Sequence, residues 1–111
     1  MESNMIFLKG KPAERRLING GQTPIFIVVE GDTEEFINAD DIKRAVIANV
    51  DIYKNHNKAN LINTKAEVCV TTIARPVSEF YILTDPIETI AAALNRDAAE
   101  LSSMLLELEV K

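Results

Sequence analysis

The stretch PIFIVVEGDTEEFINADDI, Pro24 to Ile42, decides the fold. Ile25 to Val29 is an unbroken run of β-branched and aromatic residues, which pack well on a pleated surface, and it predicts a buried strand. The EGDTEE segment that follows has two readings. With Gly31-Asp32 as a hairpin turn, Glu34 to Asn38 returns as a second strand with Phe36 on its inner face, and Asn38-Ala39-Asp40-Asp41 makes the next corner. With Thr33 as a helix cap, Glu34 and Glu35 occupy a first turn whose dipole favours carboxylates, and the helix runs on towards Ala48. The downstream pattern favours the hairpin. From Ala45 to Tyr53, Val46, Ala48, Val50 and Ile52 alternate with Ile47, Asn49, Asp51 and Tyr53, a period of two, whereas the helical stripe Ile42, Ala45, Val46, Asn49 ends on a polar residue.

Upstream, Lys9 to Gln22 carries Lys9, Lys11, Arg15 and Arg16 against one acid, Glu14, and ends in Asn19-Gly20-Gly21. It reads as an arm for phosphate or an acidic partner, or, more economically, as a solvated connection with a glycine turn. Met5-Ile6-Phe7-Leu8 before it suits a short edge strand. Downstream, Lys54 to Lys65 is polar and reads as a loop, and its histidine, His56, has no second metal ligand close in sequence. Ala66 to Ala74 is rich in β-branched residues and predicts a strand that Arg75-Pro76-Val77-Ser78 breaks, with Glu79 to Thr84 running back as its partner. Cys69 on that strand fits a small buried hydrophobe.

Asp85-Pro86-Ile87-Glu88 marks a helix start: Asp85 accepts from first-turn N–H groups, Pro86 suits the first helical position, and Glu88 completes a capping box. Ile87, Ile90, Ala91 and Leu94 form the apolar face. Asn95 tolerates the left-handed conformation that closes a helix, and Asp97 is placed to start another with Ala98, Leu101, Met104, Leu105 and Leu108 apolar. Two helices are preferred, although one helix of about 23 residues would keep a heptad-like spacing.

The 111 residues, 47% hydrophobic and 26% charged, suit one globular domain with a real core. Seventeen acids against twelve bases give a net charge of −5, which repels nucleic acid on average. A single cysteine makes no internal disulfide, no apolar run approaches the roughly 18 residues of a membrane span, and Met1 to Leu8 is too short for a signal peptide, so a cytoplasmic protein is expected.

Three resemblances bear on function. The succession IFIVVEGDTEEFINADDI, EVCVTTIARPVSEFYIL and TDPIETIAAAL, from Ile25 to Leu94, resembles the short flagellar and swarming motility family, which implies a small β-sheet domain with a helix and no catalysis. IETIAAALNRDAAELSSMLLELE resembles a helix-turn-helix, and its LLELE ending resembles winged-helix modules. Ala91 takes the close-packing position, Leu94 precedes the turn, Asn95 stands where glycine is commonest, and Leu101 and Leu105 face the core, while Arg96 departs from the apolar residue expected. The implied recognition helix begins Asp97-Ala98-Ala99-Glu100 and has no lysine or arginine through Val110, which would repel phosphate. VVEGDTEE and LTDP resemble the acidic motifs of the topoisomerase–primase domain family, which implies magnesium at Glu30 and Asp85. Ile87 replaces that family's next aspartate, and two carboxylates hold a hard cation weakly.

The expectation is a compact α+β domain over residues 1–111: an N-terminal arm (1–23), a β-rich part (24–84) forming a small antiparallel sheet, and a C-terminal helical pair (85–111). The sheet comprises Ile25 to Val29, Glu34 to Asn38, Ala45 to Tyr53, Ala66 to Ala74 and Glu79 to Thr84. With no nucleophile–base pair, metal cluster or phosphate loop in the pattern, the expected role is non-enzymatic and cofactor-free: a binding or regulatory protein working through protein contacts and self-association. A DNA-binding regulator and a magnesium-dependent nuclease are the alternatives; a membrane is not an expected partner. Successive Leu105 and Leu106 lie about 100° apart on a helix and cannot both face one sheet, and Ser102 and Ser103 leave room for a second helix. Leu101, Met104, Leu105, Leu106 and Val110 are therefore the candidate interface, and no residue is assigned as catalytic.

Overall fold

The computed structural model describes residues 6–57, 59–76 and 79–109. Its organising element is β1 (Phe7–Ile18), the stretch that reads as an arm or connection in sequence. The Asn19-Gly20-Gly21 turn, all three residues at positive φ (55°, 69° and 87°), reverses the chain into β2 (Thr23–Val29). β2 pairs antiparallel with the second half of β1, from Glu14 opposite Ile27 to Ile18 opposite Thr23. β3 (Glu35–Asn38) pairs with the first half, from Phe7 opposite Asn38 to Gly10 opposite Glu35. The expected hairpin at Gly31-Asp32 is thus not formed. β2 and β3 do not pair with each other; they are successive partners of one long strand, and the helix alternative fails with it.

Pro12 explains the break between them. Lys9 turns its N–H to Asp85 Oδ1 (2.6 Å) and its C=O to the N–H of Thr84 (3.0 Å), so odd-numbered residues of β1 face the edge that takes β6 (Phe80–Leu83). By alternation Pro12 faces the other edge, where it has no N–H to donate, and residues 30–34 leave the ladder opposite it. Phe36 is a second correction. It is 75% exposed, and its neighbour Ile37 is the buried residue of β3.

A 3-10 turn (Ala39–Asp41) leads to β4 (Ile42–Tyr53), which pairs antiparallel along its length with β5 (Leu61–Thr72). β5 pairs with β6, β6 with β1, and β2 with β4, so five strands close into a ring. A ring with an odd number of strands cannot have every neighbour antiparallel. The parallel pair is β2–β4, Phe26 to Val29 beside Val50 to Tyr53, and the crossover of roughly a dozen residues it needs is the segment carrying β3. Inside the ring lie Phe26, Val28, Val50, Cys69, Phe80 and Ile82, with the rings of Phe26 and Phe80 4.7 Å apart and tilted by 60°. Tyr81 and Leu83, the alternate residues of β6, face outward with Val68, Val70, Leu8 and Ile37. Here α1 (Ile87–Ala93) and α2 (Ala98–Glu109) cover them with Ile90, Ala91 and Leu101. The result is an α+β domain with a mostly antiparallel sheet and a C-terminal helical pair.

The helix ends separate expectation from outcome. Asn95 adopts φ 57°, and Arg96 N–H reaches Ala91 O (2.8 Å) while Asn95 N–H reaches Ala92 O (3.2 Å), the left-handed closure expected of α1. Asp97 Oδ1 accepts from Glu100 N–H (2.9 Å) and caps α2. The Asp85 cap and its capping box are corrected: Pro86 takes the cap position without a side-chain bond, because the Asp85 carboxylate is engaged by the Lys9 N–H across the sheet.

Candidate functional site

Along one edge β4 is paired with β5 from end to end, but along the other it meets β2 only from Val50 to Tyr53. Among the described residues no strand pairs with residues 42–49 on that side. The gap is a cleft of about 550 Å³. Phe26, Phe80, Val46 and Ala48 give it an apolar floor, and Arg15 of β1 and Arg44 of β4 flank it.

Arg44 is aimed there by a β-bulge. Ile42 stands opposite Thr72 and Arg44 opposite Thr71, so one extra residue sits between them on β4. In a regular strand Ile42 and Arg44 would share a face; here Ile42 packs towards the helices while Arg44 joins Val46 and Ala48 on the cleft side. Arg15 stands opposite Phe26 and takes the same face as Ala13 inside the ring. Among the described residues neither guanidinium has a hydrogen bond or ion pair. Three other cations are engaged: Lys11 Nζ donates to Glu30 O (2.6 Å), Arg16 pairs with Glu14 (2.9 Å), and Arg75 approaches Glu35 (3.5 Å).

The basic residues expected to act together are therefore dispersed. Lys9, Lys11 and Arg15 fall on one face of β1 and Arg16 on the other; only Arg15 reaches the cleft. Of the candidate interface, Leu101 is 4% exposed in the core, and Leu105 is partly buried against it. Met104 (41%) and Leu106 (62%) are exposed on α2, and Val110 lies outside the described residues. Sequence reasoning missed Arg44, Val46 and the two phenylalanines as a group, and no local signal marks them, since it is the missing neighbour of β4 that makes them a site.

The remaining reactive groups are occupied or sealed. Cys69 is fully buried, and burial together with Glu67 pushes its thiol up to about 12, leaving it protonated at neutral pH. His56 Nε2 meets Asp32 Oδ1 at 2.8 Å on an exposed loop. Tyr81 donates its hydroxyl to Glu35 (3.2 Å) beside Arg75, and burial first, then Glu35, raises its pKa against the opposing pull of Arg75. Glu30 is held by its backbone, N–H to Tyr53 O (2.8 Å) and C=O from Lys11, while Asp85 serves Lys9. Among the described residues no three acidic, histidine or cysteine side chains converge on a cation position, and no helix is long and apolar enough to cross a membrane. Comparison with protein-family models, curated proteins and solved structures returns no match.

Proposed function

We propose that this protein is a non-enzymatic binding module that takes an extended segment of a partner protein onto the open edge of β4. The observation that carries this reading is the β4 edge over residues 42–49, unpaired among the described residues, beside an apolar-floored cleft. An open edge presents unpaired N–H and C=O groups, and natural sheets usually cover, shorten or charge such edges. Lys43 and Arg44 guard the start of this one, but residues 45–49, Ala-Val-Ile-Ala-Asn, carry no charge. An added strand would satisfy those backbone groups and place alternate side chains in the cleft between Arg15 and Arg44.

Selection from a displayed library of random decapeptides tests the reading. Backbone amides within residues 42–49 should become protected from hydrogen exchange when a selected peptide binds, with shifts at Phe26 and Phe80. Peptides that bind and protect some other surface, or a selection that enriches nothing, would overturn it.

A second reading, self-association through α2, is favoured by the exposure of Leu106 and Met104 beside Ser102 and Ser103. Leu106→Glu would then shift a dimer to monomer with the fold intact. Sedimentation of both forms decides: identical monomers remove α2 as an interface.

A further inference from the structure

We infer that the segment taken up by the β4 edge is acidic, with carboxylates meeting Arg15 and Arg44 and an apolar side chain between them in the cleft lined by Pro24 and Val46. The inference rests on the strand-addition reading and adds the chemistry of the occupant.

The charges make the argument. In a chain of net charge −5, two guanidiniums stand at one apolar cleft with no partner among the described residues, while Lys11, Arg16 and Arg75 are engaged elsewhere. Arg44 is there because a bulge turns it to that side, away from the face of Ile42. A guanidinium presents a planar fork of donors that matches a carboxylate in two parallel hydrogen bonds. In an added strand successive residues point to opposite faces, so residues two apart, about 7 Å along the strand, look into the cleft together. Of three cleft-facing residues, each two apart in sequence, the outer two are acidic and meet the arginines, and the central one covers the apolar lining at Val46.

The same charges disfavour other occupants. A second copy pairing edge to edge through residues 42–49 would bring Lys43 and Arg44 and no carboxylate to the cleft. A nucleic-acid strand needs a run of cations along its backbone, and two are offered by a protein whose net charge repels phosphate.

The peptide selection tests this through composition. Enriched decapeptides should be acidic, with carboxylates alternating with apolar residues, and their affinity should fall steeply as salt is raised. Replacing a peptide's glutamates with glutamine should weaken binding to the wild-type protein, and Arg15→Gln and Arg44→Gln should each weaken it about tenfold. The amide spectrum of each variant verifies that it is folded. Neutral or basic peptides that protect residues 42–49, or acidic ones indifferent to both arginine substitutions, overturn the acidic occupant and leave strand addition standing. Absence of protection at residues 42–49 with every enriched peptide removes strand addition itself.

Discussion

The two sides of the sheet are built by different rules. Where β5 and β6 pass under the helices, both faces are covered, so the strands read as near-continuous apolar runs: all four residues of β6 are buried, and five consecutive residues of β5, 68–72, are buried too. Where β4 parts from β2, one edge has no neighbouring strand among the described residues, and Ile42-Lys43-Arg44-Ala45 mixes charge with small and apolar side chains. The covered side spends its residues on packing. The open side, among the described residues, keeps backbone groups and two arginines without a partner in the fold.

Leu83→Ala strikes the covered side and should have the largest effect. Leu83 is 2% exposed between Leu8, Ile90 and their neighbours, and truncating it should cost about 3 kcal/mol of stability by denaturant melting. A cost near zero would mean that the helices do not seal this face. Gly10→Val comes next, because Gly10 lies between β3 and β6 and a Cβ there would meet Ile37 Cδ1 at 2.4 Å and Tyr81 Cβ at 3.0 Å. Crowding of this kind should cost about 2 kcal/mol. Asp97→Ala removes the α2 cap, and a loss of about 1 kcal/mol is expected in thermal melting. On the open side, Arg44→Gln should move stability by less than about 0.5 kcal/mol, since no interaction of the fold depends on it. If instead it destabilised the protein like a core change, Arg44 would be structural and the contrast between the two sides would collapse.

Glu67 sharpens the comparison through pH. Desolvation by burial is the largest influence on it and raises its pKa from 4.5, with Lys65 opposing and Glu109 adding to the rise. The folded state therefore holds this proton more tightly than the unfolded one, so its contribution favours folding below the unfolded pKa and is lost as pH rises through the folded value. Glu67→Gln should raise the melting temperature at pH 7 and have almost no effect near pH 4. An equal effect at both values would show that the carboxylate charge carries no penalty.

Much of the element plan was legible. β4 and β5 begin earlier than expected, at Ile42 and Leu61, because polar residues on an exposed ladder look like loop until the partner strand is known. β1 was hidden for the same reason: Lys9, Lys11, Arg15 and Arg16 make a basic stretch in sequence, but in a strand they divide between two faces. Of the site, Arg15 was visible as a candidate within that stretch. Arg44 was not, since a bulge is a property of two strands in register and one strand carries no trace of it.

What the sequence by itself determined are the features whose partners lie within a turn or two: the strand run Ile25 to Val29 within β2, the turn at Asn19-Gly20-Gly21, the left-handed closure at Asn95 and the cap at Asp97. Their energies are local, so nearby residues suffice to select them. Only the tertiary structure decided that β2 pairs with β1 instead of β3, that Asp85 serves Lys9 instead of a helix, and that β2 meets β4 only from Val50 to Tyr53. Each of these is a competition among groups far apart in the chain for the same hydrogen bonds, and its outcome depends on which edges the closed ring brings together.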